Sequence, residues 1–134
     1  MINSVRKGYI GEIEVHKDLL KKGWNIYEPV VDDHGIDLIA EKGGTIHKLQ
    51  IKVRGYSKHQ SRRPSLEVRV RKKSNANILA VPIKLHRCVC YIPVDYTQEM
   101  PSTGYYMSIS IRPAKNNQKK MRGKWYEDYL ELPE

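Results

Sequence analysis

Residues 36–54, IDLIAEKGGTIHKLQIKVR, decide the fold. The run reads as a hairpin, with one strand over residues 36–40, a turn over 41–45 around Gly43-Gly44, and a returning strand over 46–54. The two-residue period of a strand puts Ile36, Leu38 and Ala40 on one face and Asp37 and Ile39 on the other. On the returning strand Leu49, Ile51 and Val53 point one way, and Lys48, Gln50, Lys52 and Arg54 the other. Asp37 therefore shares a face with Gln50 and Lys52 when the register allows. A carboxylate, an amide and an ammonium on one side of an apolar hairpin lose hydration when covered, so they must pair with one another, hold a metal or open into a cleft.

A hard divalent cation suits this set. Mg2+ takes one or two protein carboxylates, leaves its other positions to water and substrate phosphate, and polarises that phosphate. Asp37 supplies a carboxylate, the Gln50 side chain and the Ile51 carbonyl supply further oxygens, and Lys52 is placed to hold or deprotonate an attacking water. This is a layout for cleaving phosphodiesters with Mg2+ or Mn2+. The competing reading makes Asp37 and Lys52 a cross-strand ion pair on a sheet surface, a weakly stabilising arrangement. His16, His34 and His47 are read as structural, and Asp32 and Asp33 as ordinary turn residues.

Upstream, Asn3 and Ser4 are good caps, and Val5, Tyr9, Ile13, His16, Leu19 and Leu20 recur at spacings of three and four, which predicts a helix over residues 4–22 ending at Gly23. Glu12 lies one turn before His16, on the face with Tyr9, and reaches toward the same metal from the helix side. Residues 24–31 read as a strand broken by Pro29. Downstream, residues 55–65 (GYSKHQSRRPS) form a basic loop and residues 66–71 an alternating strand. The apolar runs 78–81 and 88–92 read as buried strands, residues 105–111 as a further strand, and 125–132 as a short closing helix. Cys88 and Cys90, two apart on one strand face, are core residues rather than a framework disulfide. The expected architecture is α/β (α+β), an N-terminal helix followed by a mixed central sheet with flanking helices, in one domain over 1–134.

The 134 residues carry 24 Lys and Arg against 15 Asp and Glu, a formal charge of +9. The excess is local. Residues 58–124 hold fifteen basic residues against only Glu67, Asp95 and Glu99, whereas residues 1–57 are nearly balanced. A concentrated positive field is what a polyanion selects, because neutralised phosphates release counterions. Arg54, Tyr56, Lys58, Arg62, Arg63, Arg69 and Arg71 are the expected DNA contacts: the first five leave the strand that bears Lys52, and so lie near any scissile phosphate. Lys115, Lys119, Lys120 and Arg122 form a second basic cluster. No apolar run is long enough for a membrane span and no export signal opens the chain, so a cytoplasmic protein is expected.

Residues 7–54, KGYIGEIEVHKDLLKKGWNIYEPVVDDHGIDLIAEKGGTIHKLQIKVR, resemble the catalytic core of the PD-(D/E)xK nuclease superfamily, the restriction-endonuclease-like fold. The resemblance is carried by Gly8-x-x-Gly11-Glu12 in a helix, Gly35-Ile36-Asp37 entering a strand and Gln50-x-Lys52 on the next, and it points to the archaeal Holliday-junction-resolvase and intron-encoded homing-endonuclease branches. It implies Glu12 as the helix-borne acid, Asp37 as the metal ligand, Gln50 as the variable member and Lys52 as the catalytic lysine. Two positions depart from the pattern. Ile36 stands where the family has proline, and Gln50 replaces a second acid, as in known Gln-x-Lys variants. The resemblance itself runs over residues 7–54, and residues 1–95 are taken as the nuclease core with 96–134 as a C-terminal extension. The implied function is a metal-dependent DNA endonuclease acting as a homodimer on duplex or branched DNA, without an organic cofactor. Junction-selective cutting is expected, since a chain this short has little room for base-reading insertions. A sequence-specific homing or restriction-type enzyme, or a non-catalytic nucleic-acid-binding module, are the alternatives.

Overall fold

The computed structural model describes residues 3–31, 35–53, 65–71, 75–94, 104–113 and 124–134. Helix α1 spans Ser4–Lys21; Asn3 Oδ1 accepts from the Arg6 amide at 2.9 Å and so satisfies one of the free N–H groups of the first turn. Gly23, at φ +88, turns the chain out of the helix. The buried stripe is Gly11, Val15 and Leu19. This corrects the face expected from sequence: Val5, Tyr9, Ile13 and Leu20 are exposed, Val5 at 79%. The true contact stripe has a glycine in it, which a hydropathy count passes over, and the apolar residues beside it gave a competing spacing.

Among the described residues eight strands follow: β1 Asn25–Tyr27, β2 Leu38–Lys42, β3 Thr45–Ile51, β4 Ser65–Val70, β5 Ile78–Ile83, β6 Cys88–Pro93, β7 Tyr105–Ser110 and β8 Lys124–Trp125. They form a five-stranded sheet in the order β1-β2-β3-β5-β6 and a three-stranded sheet in the order β4-β7-β8. All pairs are antiparallel except β3 with β5 and β7 with β8. The hairpin forms as expected, with its turn at Gly43 and Gly44, both at positive φ. Its first strand starts only at Leu38, so Asp37 sits just before the ladder. The strand expected over 24–31 shrinks to three residues. The closing helix expected over 125–132 is instead the end of β8 and a 3-10 turn over Tyr126–Tyr129. Pro82 lies inside β5, but β3 pairs with β5 only as far as Ala80, so the missing N–H falls where β5 has β6 alone beside it.

Alternation along the central strands feeds two cores. Leu38, Ala40, Leu49, Ile78, Ala80, Val89 and Tyr91 pack with Val15, Leu19 and Trp24 beneath α1. Leu79, Val81, Ile83, Cys90 and Ile92 face the other way and meet Leu66, Val68, Val70, Met107, Ile109 and Ile111 of the second sheet. The layers therefore run helix, five-stranded sheet, three-stranded sheet. Residues past 95 enter both cores, since Leu132 joins the helix-side cluster. The last residues lie across the helix end and the hairpin: Lys22 Nζ donates to Leu130 O, His47 Nε2 meets Pro133 O at 2.6 Å, and Lys42 Nζ meets Glu134 Oε1 at 2.5 Å. Among the described residues no helix is long and apolar enough to cross a membrane.

Candidate active site

The register Leu38↔Leu49, continued two pairs further, would set Ile36 opposite Ile51. The ladder does not continue. The Asp37 amide turns to Leu49 O at 2.8 Å, and the Ile51 amide is taken by Asp37 Oδ2, also at 2.8 Å. A side-chain carboxylate thus replaces the main-chain acceptor, in a charge-assisted bond that fixes the acid against the end of β3. In an extended strand the N–H and C=O of one residue face the same neighbour, so the Ile51 carbonyl is directed to the Asp37 side as well.

Beside this bond lies a cleft of about 190 Å³ lined by Glu12, His16, Glu28, Pro29, Ile36, Asp37 and Ile51. It brings Glu12, Asp37 and Ile51 of the expected set together. Among the described residues three carboxylates and one histidine line it, with no Lys or Arg, which makes it attractive to a cation. His16 Nε2 stands 3.8 Å from Glu28 Oε1. His16, structural on the sequence reading, and Glu28, outside the expected set, thus belong to the cleft; the sequence cue for His16 is its helical spacing from Glu12, and Glu28 offers none.

Gln50 and Lys52 do not line this cleft. Gln50 pairs in register with Leu79 of β5, and its Oε1 is buried with no hydrogen-bond partner among the described residues. An unpaired buried oxygen costs about 1–3 kcal/mol. Lys52 follows β3 directly; its amide donates to Ala80 O at 2.9 Å, which continues the parallel pairing and keeps Lys52 in strand alternation with Gln50.

No group of three or more His, Cys, Asp and Glu is gathered as a metal cage among the described residues. Mg2+ does not need one. Two carboxylates with water, supplemented by an amide or main-chain oxygen, meet its demand, and the orphaned Gln50 oxygen is an acceptor of the hard type that such an ion or its water takes. The donor set fits the cation.

Of the expected DNA contacts, Arg54, Tyr56, Lys58, Arg62 and Arg63 lie outside the described residues, as does the cluster at Lys115, Lys119, Lys120 and Arg122. Arg69 is on β4 and Arg71 follows it, both in alternation with the buried Leu66, Val68 and Val70 and so on the outer face of the second sheet. Tyr106 of β7 pairs in register with Arg69 and is 65% exposed. Cys88 and Cys90 are free thiols; a hydrogen bond between them pulls Cys88 below the ordinary thiol range and, with burial, pushes Cys90 above it.

A PD-(D/E)XK endonuclease family model matches residues 2–132, nearly the whole chain. None of the curated proteins compared matches the sequence. Among solved structures, a bacterial homing endonuclease superposes with a TM-score of 0.67 at 21% identity, over 91% of this chain and 84% of its own. At that identity the likeness speaks for the fold alone. With the acid at position 37 bonded to the strand that leads into Lys52, and with the family match running from end to end, the chain belongs to the PD-(D/E)XK endonuclease family.

Proposed function

We propose that the protein is a divalent-cation-dependent endonuclease that hydrolyses phosphodiester bonds of DNA. The observation that carries this reading is the cleft joining Glu12, Asp37 and Ile51, with Asp37 bonded to the Ile51 amide. Asp37 and Glu12 would hold Mg2+ or Mn2+, assisted by the Ile51 carbonyl and the Gln50 amide oxygen. The chemistry such a cation would supply is polarisation of the phosphoryl group and a more acidic water. Lys52 orients the attacking water and offsets charge that develops on the phosphate. Arg71, exposed just past β4, supplies a sequence-independent phosphate contact.

As to substrate, the second sheet favours sequence-specific duplex cutting over the junction selectivity expected from chain length. The outer face of its β4–β7 pair sets the half-buried Arg69 opposite the exposed Tyr106, a cation and a ring that suit contacts to base edges in a groove of duplex DNA. One site per chain and two strands per duplex favour a homodimer, which light scattering at twice the chain mass would support. The deciding experiment is a cleavage screen with Mg2+ or Mn2+ over four-way junctions, flaps and a library of linear duplexes. Cutting confined to one duplex sequence supports the proposal, and cutting confined to branched DNA returns the enzyme to the junction-resolving class. No cleavage of any substrate, with salt-sensitive binding intact, would leave only the binding-module alternative.

A further inference from the structure

Gly11 is where helix α1 meets Val53, two residues past the end of β3. A Cβ built there falls 2.3 Å from Val53 Cγ2 and 2.9 Å from Cγ1, inside any tolerable contact. Val53 is β-branched and short, so its methyl groups have no flexible stem along which to retreat. Gly8, three residues earlier on the same helix, meets nothing within 4 Å. Glycine inside a helix is less favourable than alanine, and Gly8 and Gly11 bear that penalty alike, but only Gly11 has a packing reason for it. The neighbours of this contact are telling. Glu12 follows Gly11 and lines the cleft with Asp37, while Lys52 precedes Val53.

We infer that Gly11 is a positioning residue whose contact with Val53 sets the distance between Glu12 on the helix and the Asp37–Lys52 edge of the sheet. The inference rests on the metal-dependent nuclease reading. A methyl group at position 11 pushes helix and strand apart at the one place where their separation decides whether Glu12 and Asp37 reach a common cation. Removing the Val53 methyls gives the space back. The role is thus a matter of spacing, which a compensating pair of substitutions isolates from general loss of stability.

The test compares Gly8→Ala, Gly11→Ala and the double variant Gly11→Ala with Val53→Ala, in cleavage turnover, in Mn2+ binding followed by electron paramagnetic resonance, and in thermal melting. Gly11→Ala is expected to lower turnover at least about tenfold, since displacements of the order of an ångström are costly at a reacting centre, and to weaken Mn2+ binding several-fold. Gly8→Ala should match the wild type in both, and the double variant should recover most of each loss. Gly11→Ala that binds Mn2+ and cleaves as the wild type does would overturn the inference. So would losses that follow the unfolded fraction and do not recover in the double variant. If the wild type binds Mn2+ but cuts no DNA, the nuclease reading fails by itself, and the Mn2+ affinities of the three variants still decide the role of Gly11.

Discussion

The Ile51 amide donates a 2.8 Å hydrogen bond to Asp37 Oδ2, so the strand that leads into Lys52 also holds the acid. Hairpin register and side-chain chemistry are coupled at this bond. Moving β2 against β3 by one residue would send Asp37 to the helix-side core, where Leu38 and Leu49 are fully buried.

Asp37→Asn separates the two roles of this carboxylate. The amide oxygen still accepts from Ile51, whereas the negative charge is gone. Melting within about 3 °C of the wild type is expected, with plasmid cleavage in Mg2+ reduced at least about 100-fold. Asp37→Ala should in addition lose about 1–3 kcal/mol, because the Ile51 amide is left without an acceptor. Wild-type cutting by Asp37→Asn would remove Asp37 from the reaction.

Lys52→Met keeps the aliphatic stem and the main-chain bond to Ala80 and deletes only the ammonium. Single-turnover cleavage should drop by about 10²–10⁴, with Mn2+ affinity and DNA affinity held within about threefold. A surface ion pair predicts the reverse: a small loss of stability and unchanged kinetics. Rapid-quench cleavage alongside fluorescence anisotropy decides between them.

The hairpin could be read from sequence because its signals are local: alternation at Leu38, Ala40 and Leu49, and a Gly43-Gly44 turn at positive φ. The expected set Glu12, Asp37, Gln50 and Lys52 rests on the hairpin's alternation together with the family resemblance, and of it the cleft gathers Glu12 and Asp37. The helix face was not legible, since its contact stripe turns on Gly11, whose importance is set by Val53 more than forty residues away. Nor was the cleft wall, which needs α1, the segment after β1 and the end of β3 to meet. In the second sheet β4 and β7 were legible as strands but not as a layer, and β8 was not legible, its Trp125 reading as the start of a helix. The β4–β7 pairing joins residues some forty apart, and nothing in either strand names the other.

Gly104 tests that pairing. It has φ +81, and an added Cβ would fall 1.9 Å from the Val70 carbonyl oxygen, a backbone atom at the end of β4. Gly104→Ala combines an unfavourable left-handed conformation with this clash. A loss of about 2–4 kcal/mol is expected in equilibrium urea unfolding, with an unchanged slope. A variant as stable as the wild type would show that β7 enters the sheet by another path.

Tyr91 gives the protein a built-in alkaline limit. Its ring is buried in the helix-side core, and its hydroxyl donates to Asp18 Oδ2 at 2.6 Å, while Lys22 Nζ sits 2.9 Å from that same oxygen. Burial, then the bond to Asp18 and its negative charge, raise the phenol well above its ordinary range. A raised folded-state pKa means that the native state keeps a proton the unfolded chain releases. The stabilisation is therefore complete below the ordinary phenol pKa near 10 and falls as pH climbs above it, by about 1.4 kcal/mol per pH unit from this one group. Tyr91→Phe forfeits the hydrogen bond, at a cost of about 1 kcal/mol near neutrality, but removes the phenol from the balance. Urea unfolding of both proteins from pH 8 to 11 should show the wild type losing its advantage above pH 10, with the two curves converging; parallel curves across that window would mean that Tyr91 ionises as freely in the fold as in water.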